Sequence, residues 1–551
     1  MASLDPVTLD IWWSRVTSIV DEMAAAVQRT AFSAVVREAN DYCCTLLDSR
    51  GDLIAQNTRA IPSFIGTVSN TVREFMKVFP PETLAADDVI ITNDPWIASG
   101  HLPDLTMALP IFVDNKLVGF CGLVFHLPDI GGRGGAADTK DFYEEGLKVP
   151  VVKLCRAGVM DTMVTDFIKS NVRIPDQVMG DIEAAITAAK TGEARVMQFM
   201  GEYGLKDLDD LSHAVQNVSE RAMRGAIDKV PDGTYVHEVT GDGWDHPLTI
   251  RTTVIVDGDT IKVDYDGTSI QSGYGINSVF NYTYAYTLYA LKCAICPAVP
   301  NNEGTCRPFE IVVPEGTCLN PTFPAPVSAR FLSGHFIQAA IFGSLAQAVP
   351  EMVNAENSAP FWGLLIHGRR EDGSIYVAPN LLYNGGQGAN KLSDGISCLC
   401  IPSNVGSAPI ETIETTTGLM VIEKEFVADS GGAGTRRGGL GQKVVLESVS
   451  DYPTRVFLLT DRIKNPAKGY GGGGNGHAGA IFLNDVPINE PKGEVVLNKG
   501  DRITLILPGG GGYGSPEGRS TDKIAEDIEN ELVSPDAARQ DYDFKVKQHS
   551  N

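Results

Sequence analysis

Apolar and polar positions along the chain fall into three successive patterns. Residues 7–36 (VTLDIWWSRVTSIVDEMAAAVQRTAFSAVV) repeat apolar side chains at helical spacing, follow Pro6 and contain no Gly, which predicts one long amphipathic helix. DYCCTLLDSRGDLIAQ (41–56) reads as a hairpin turning at Asp48–Gly51, and DVIITND (88–94), LTMALPIFV and KLVGFCGLVFH as strands, the last two joined by a turn at Asp114-Asn115. Two helices are expected between about 180 and 229. A strand-rich block opens at GTYVHEVT (233–240) and includes a hairpin around Asp257-Gly258. An aromatic helix near 281–295 and a Pro-rich segment at 297–330 follow. The last third sets strands such as KVVLESV and RVFLLT among SGGAGTRRGGLG (430–441), KGYGGGGNGHAG (468–479) and LPGGGGYGSP (507–516), and ends in a charged tail from 519, read as a peripheral helix or disordered.

This organisation predicts a multi-domain α+β protein. The expected units are an amino-terminal helix-plus-sheet region (1–230), a mixed middle (231–425), a Gly-rich, mostly β region (426–518) and the tail (519–551). No repeat of solenoid period is present.

Charge and cysteine content narrow the function classes. The net charge of −24 over 551 residues argues against nucleic acid or an anionic membrane as partner, since both need a basic surface. The amino terminus is acidic where a secretory signal would be basic, and FIQAAIFGSLAQAV (336–349) is about a third too short to span a bilayer. A cytoplasmic protein is expected, with its ten cysteines as free thiols. Cys293 and Cys296 form a CxxC, but Cys306 and Cys318 downstream lie too far apart for the second close pair of a zinc site; buried thiols beside the aromatic helix are the better reading.

One word stands out. His-Leu-Pro-Asp occurs at 101–104 and again at 126–129, in a chain with nine histidines. Pro keeps both words out of helices, and the strand pattern places them near one end of a single hairpin. Imidazole and carboxylate together suit zinc, manganese or iron. His101, Asp104 and His126 would supply three ligands, with Asp129 either a fourth or an acceptor that fixes a histidine tautomer. The alternative, turn-capping Asp and satisfied loop His, fits one such word better than two facing each other.

The Gly-rich segments carry no nucleotide signature. LPGGGGYG lacks the Lys-Ser/Thr of a phosphate-binding loop, and GGGGNG (471–476) matches a dinucleotide fingerprint only as a glycine run. Tight turns in a β domain are the favoured reading, with anion cradling as the alternative. Arg436 and Arg437 would bind a phosphate or pair with acids. No serine-hydrolase element is present.

In combination, VREANDYCCTLLDSRGDLIAQ, NDPWIASGHLPDLTM, HLPDIGGRGG, NVRIPDQVMGDIEAAI, PNNEGTCRPFEI, GGAGTRRGGLG and PGGGGYGSP resemble the hydantoinase B/oxoprolinase family, in order from near residue 35 to near 516. The family takes in B-type subunits of ATP-dependent hydantoinases and lactamases, one half of 5-oxoprolinase, and α subunits of acetone and acetophenone carboxylases. The resemblance implies a division of labour. A larger A-type subunit with an actin/Hsp70-like fold binds ATP and Mg and phosphorylates the substrate or bicarbonate, in an (αβ)2 hetero-tetramer, while the B-type chain holds a divalent metal. It also implies the ligand set Asp41, His101, Asp104 and His126, with Asp129 left as general base or ligand orienter. Many relatives read HHAD at the second word; here the second His is Leu127, so any proton transfer by that His must be replaced.

The implied activity is ATP-dependent hydrolysis of carbon–nitrogen bonds in cyclic amides (hydantoin, 5-oxoproline or lactam), with the metal, zinc first and manganese second, supplying hydroxide. The competing readings are a ketone carboxylase of the α-subunit type and a non-catalytic, metal-stabilised scaffold. The need for bicarbonate stays open among them.

Overall fold

The computed structural model describes residues 5–488 and 491–544. Helix α1 (Pro6–Thr30) starts on Asp5, whose carboxylate accepts the Thr8 N–H at 3.0 Å, and buries Trp12, Val16, Val20, Met23 and Val27 along one face. The single helix expected over 7–36 is broken. The Asp181 carboxylate accepts the backbone N–H groups of Phe32 and Ser33 at 2.7 and 3.1 Å, and Ser33 caps a separate turn, α2 (Ala34–Arg37). That long-range acceptor competes with the helix and steers the chain into the first strand.

The amino-terminal sheet is antiparallel, in the order β2-β1-β5-β4-β3-β6-β7. Its strands are β1 (Tyr42–Asp48), β2 (Leu53–Gln56), β3 (Val89–Thr92), β4 (Asp104–Val113), β5 (Lys116–His126), β6 (Val152–Arg156) and β7 (Val159–Met160). Its central strands are covered on both faces, which is why they read as nearly unbroken apolar runs. Cys44, Leu46, Leu123 and Phe125 join the core that holds α1, whereas Cys43, Leu47, Phe120 and Val124 pack with Val68, Val72 and Phe75 of α3 (Thr67–Val78). A helix absent from the sequence pattern, α4 (Thr162–Asn171), is capped by Asp161. The two expected helices follow it. α5 (Pro175–Tyr203) begins at Pro175, where a missing N–H costs nothing, and α6 spans Asp209–Ile227.

In the middle of the chain a four-stranded sheet comprises β8 (Gly233–Gly241), β9 (Leu248–Asp257), β10 (Thr260–Asp264) and β11 (Phe309–Val312), the last parallel to β10. The wholly buried helix Phe336–Leu345 packs on it through a Thr252 hydroxyl that donates to the Ala340 carbonyl. The aromatic helix α7 (Phe280–Ile295) forms as expected. Beyond it, β12 (Trp362–Arg369) and β13 (Ile375–Tyr383) pair with each other, and β12 joins strands Thr454–Leu459 and Glu494–Leu497 to complete a second four-stranded sheet. A five-stranded sheet contains Leu419–Phe426, Gln442–Ser448 and Arg502–Ile506.

The Gly-rich segments are not chiefly tight turns. They run alongside one another and bond backbone to backbone: Gly432 N–H to the Gly510 carbonyl, Gly510 N–H to Gly439, Gly512 N–H to Gly474, Gly439 N–H to Gln387. A Cβ on Gly510 would lie 2.1 Å from the Gln387 carbonyl oxygen. The glycines are needed for this close approach of chains more than for unusual dihedrals. Arg437 is buried against Asp527, with 3.5 Å between charged atoms, so it pairs with an acid. The tail is likewise pinned: helices Thr521–Glu529 and Pro535–Tyr542 follow Arg519, a buried cation bonded to Asp394 at 2.8 Å and to Asp527 at 2.6 Å. The remainder of the expected tail, 545–551, lies outside the described residues.

Gly510→Ala is expected to destabilise by about 3 kcal/mol or more, because backbone must move to admit the methyl. Gly225→Ala, on the exposed face of α6 with nothing within 4 Å of its added Cβ, should stabilise by roughly 0.5–1 kcal/mol. Urea unfolding of the two variants tests the contrast.

Candidate metal centre

The site lies where three neighbouring strands end. Asp104 opens β4 and His126 closes β5, and the two are direct partners in the ladder. Asp41 immediately precedes β1, and its carbonyl accepts the His126 N–H at 3.0 Å. The two HLPD words therefore meet as the hairpin pattern predicts, with the Leu127 N–H donating to the Pro103 carbonyl at 2.7 Å. His101 sits on the loop before β4. Its neighbour Gly100 has φ +113°, and a Cβ there would come within 2.9 Å of Arg330 Cδ, so only glycine fits.

His101, Asp104 and His126 are all buried, and one ligand atom of each lies within 4.8 Å of the other two. Among the described residues no other trio of His, Cys, Asp or Glu closes to that distance, and the CxxC cysteines are free. Asp104 Oδ1 is 2.8 Å from His101 Nε2 and 3.0 Å from His126 Nδ1. Its Oδ2 accepts from Arg330 at 2.6 Å and from the Ser99 hydroxyl at 2.7 Å. Asp41 stands at the rim, with Oδ2 3.8 Å from His126 Nδ1.

The protons decide what the trio can hold. The Ser328 carbonyl, 2.9 Å from His101 Nδ1, can only accept, so that nitrogen carries the proton. His101 Nε2 then turns a lone pair toward a carboxylate oxygen. Protonating the ring would relieve the repulsion, but burial, and after it the Arg330 guanidinium, lowers the His101 pKa to about 4. Burial pulls the Asp104 carboxyl upward, yet Arg330 and then His101 outweigh it and keep the group ionised. Two nitrogens and a carboxylate thus converge on one point. This donor set fits a divalent cation. Burial raises Asp41 to about 6, opposed by His126 and reinforced by Asp104.

Asp129 lies apart from the trio. Its carboxylate accepts from the Arg173 guanidinium at 2.7 Å, from the Arg173 backbone N–H and from the Gly131 N–H at 3.1 Å, which fixes the loop after the second word. Asp129 borders a cleft together with Asp41, His101 and His126, while Asp104 lies behind its wall.

Several residues around the cleft had no sequence signal. Ser328 and Arg330 come from the segment read only as Pro-rich. The buried Glu145 carboxylate accepts the N–H groups of Val327 and Ser328 at 2.6 and 2.9 Å, and so fixes the carbonyl that orients His101. His335 bonds the Tyr286 hydroxyl at 3.0 Å through Nε2. His367 reaches the cleft from β12. Nothing in local spacing ties these positions to HLPD; the scarcity of histidine was the one available hint.

A sequence model of the family described as hydantoinase B/oxoprolinase matches residues 5–516. The chain belongs to the hydantoinase B/oxoprolinase family. A protein of Pseudomonas sp. strain NS671, provisionally named as the B-type subunit of a D-/L-hydantoinase, is 31% identical over 576 residues, covering 99% of this chain and 96% of its own. The beta subunit of the Pseudomonas jessenii caprolactamase is 30% identical over 569 residues, covering 98% and 96%. The crystal structure of the ATP-dependent caprolactamase from Pseudomonas jessenii superposes with a TM-score of 0.91 at 28% identity, over 100% of this chain and 98% of that one. The resemblance carried by the HLPD words and the Gly-rich segments is therefore family membership, and the α+β architecture is the family's. No helix among the described residues is long and apolar enough to cross a membrane.

Burial, against the N–H groups of Ser328 and Val327, pushes Glu145 up to about 8. Because the folded value lies above the unfolded one, its contribution to stability is fully present below about pH 4.5 and is lost as pH rises toward 8. Glu145→Gln keeps the acceptor oxygen and removes the titration. The variant should show a flatter stability profile between pH 5 and 8 in denaturant melts.

Proposed function

We propose that this chain is the metal-bearing B-type subunit of an ATP-dependent cyclic-amide hydrolase, which opens a ring activated by phosphorylation on a larger ATP-binding A-type subunit. The observation that carries the reading is the buried His101–Asp104–His126 trio, in which His101 Nε2 turns a lone pair toward the Asp104 carboxylate and whose two histidines border a cleft. The names of the two Pseudomonas relatives, each a subunit of a larger enzyme, support a partner chain.

In this reading Asp41 completes the ligand set, and zinc is favoured over manganese. A divalent cation there supplies Lewis acidity, which lowers the pKa of water from about 15.7 to about 7 in favourable sites. The remaining work belongs to the chain. Arg330 and Ser99 hold Asp104 in one orientation, so that Oδ1 faces the two imidazoles. The Ser328 carbonyl keeps the His101 proton on Nδ1 and leaves Nε2 free to ligate. Asp129 is a positioning residue for the cleft wall, since Arg173 and Gly131 occupy its oxygens. Ile61, Phe331, Phe361, Leu365, Leu382 and Val405 give the cleft an apolar wall beside the two histidines.

In the complex purified with its ATP-binding partner, His126→Ala should lose the bound metal and cut ATP-dependent ring opening by at least about 100-fold, with assembly unchanged. Metal content by mass spectrometry and turnover are measured together. Normal turnover by a metal-free variant would refute the catalytic role and leave a scaffold.

A further inference from the structure

A second pocket lies behind the metal cleft. Two short segments separate them and face both ways. Ile61, Ser63, Ser403 and Val405 line the cleft, whereas Ala60, Pro62 and Asn404 line the pocket behind it. Ile61 and Val405 belong to one core, with Ala60 and Cys400 packed against it, so the two segments form a single wall. The far side of the pocket comes from α7, through Tyr289, Lys292 and Cys293, and from Asn301 beyond it. Gln56, the last residue of β2, completes the lining.

The polar groups of this pocket are unpaired. Gln56 is 8% exposed, and its Oε1 is buried with no partner among the described residues. The Oδ1 of the half-buried Asn301 is in the same state. Buried oxygens of this kind normally accept a hydrogen bond. Lys292 is half-buried beside the thiols of Cys293, Cys296 and Cys306, and no described carboxylate pairs with it. Burial lowers its pKa, opposed by those thiols. The pocket therefore offers one ammonium without a counter-ion and two carbonyl oxygens without a donor. A ligand that satisfies all three carries a carboxylate at one end and N–H groups at the other.

Hydrolysis of a cyclic amide makes such a molecule. Water adds across the C–N bond, leaving a carboxylate on one end of the opened chain and an amine on the other, or a ureido group where the ring was a hydantoin. Building on the cyclic-amide reading, we propose that the pocket is a second binding site, separate from the metal cleft, for a small acyclic amino or ureido carboxylate, the class of molecule that ring opening releases. Lys292 holds the carboxylate, and Gln56 and Asn301 accept from the nitrogen end.

The test is calorimetry on the complex of this chain with its ATP-binding partner, without ATP. The probes are 6-aminohexanoate and N-carbamoylglycine, against hexanoate, which lacks the N–H donors, and hexylamine, which lacks the carboxylate. At least one of the first two should bind about tenfold or more tightly than both controls. Lys292→Met should weaken that binding by about tenfold and Gln56→Met by about threefold, while His126→Ala, in the cleft, leaves it unchanged. Absence of binding, equal binding of either control, or binding that survives Lys292→Met overturns the proposal. Should Lys292→Met not fold, Gln56→Met and the ligand series on the wild type decide. Ring opening is assayed with ATP in the same preparation. Turnover without this binding ends the proposal and leaves the cyclic-amide reading standing; binding lost with Lys292→Met but no turnover of any ring keeps the site and removes that reading.

Discussion

One buried carboxylate, Asp104, organises the site. It is 1% exposed and meets His101, His126, Arg330 and Ser99 at 3.0 Å or less. An ionised carboxylate in such a place is costly unless every lone pair is engaged. Oδ2 is satisfied by the guanidinium and the hydroxyl, while Oδ1 faces two imidazole nitrogens. The half of the carboxylate that Arg330 and Ser99 satisfy is held in place, and the other half has the donor set that a cation could use. Arg330 thus helps to keep Asp104 ionised, and burial, with Arg330 after it, keeps His101 neutral, the protonation states a metal ligand needs.

The surrounding fold brings these groups together from distant parts of the chain. Asp104 and Arg330 are 226 residues apart, and Glu145 reaches 183 residues to fix Ser328. The opposite wall comes from β12 and the segment before it, whose sheet is tied to the middle of the chain by Asp242. That carboxylate accepts the backbone N–H groups of Ile463, Lys464 and Asn465. A buried pair between Arg462 and Glu356, at 2.8 Å, closes the same junction.

How much of this was legible in the sequence follows from the range of each interaction. The HLPD hairpin was readable because strand alternation and a turn fix register locally, and register alone sets Asp104 opposite His126. Asp41 came only with the family resemblance, since no spacing links it to the HLPD words so far downstream. Ser328, Arg330 and Glu145 act through single long-range hydrogen bonds that leave no periodic trace. The break at 31–33 was hidden for the same reason: helical periodicity continues through it, and the competitor is the carboxylate of Asp181, far along the chain. In the Gly-rich segments the expectation of turns fails because a glycine run signals backbone freedom and close approach equally well.

Close approach has a thermodynamic corollary. Where Gly432, Gly439, Gly474, Gly510 and Gly512 stack, peptide groups bond to peptide groups and almost no apolar area is removed from water. Unfolding that layer exposes mainly amides, which lower the heat capacity, whereas opening the amino-terminal core exposes Leu, Ile and Phe side chains, which raise it. The glycine layer and the apolar cores therefore respond differently to temperature. On cooling, the hydrophobic stabilisation of the apolar cores weakens, whereas the backbone hydrogen bonds of the glycine layer do not depend on it.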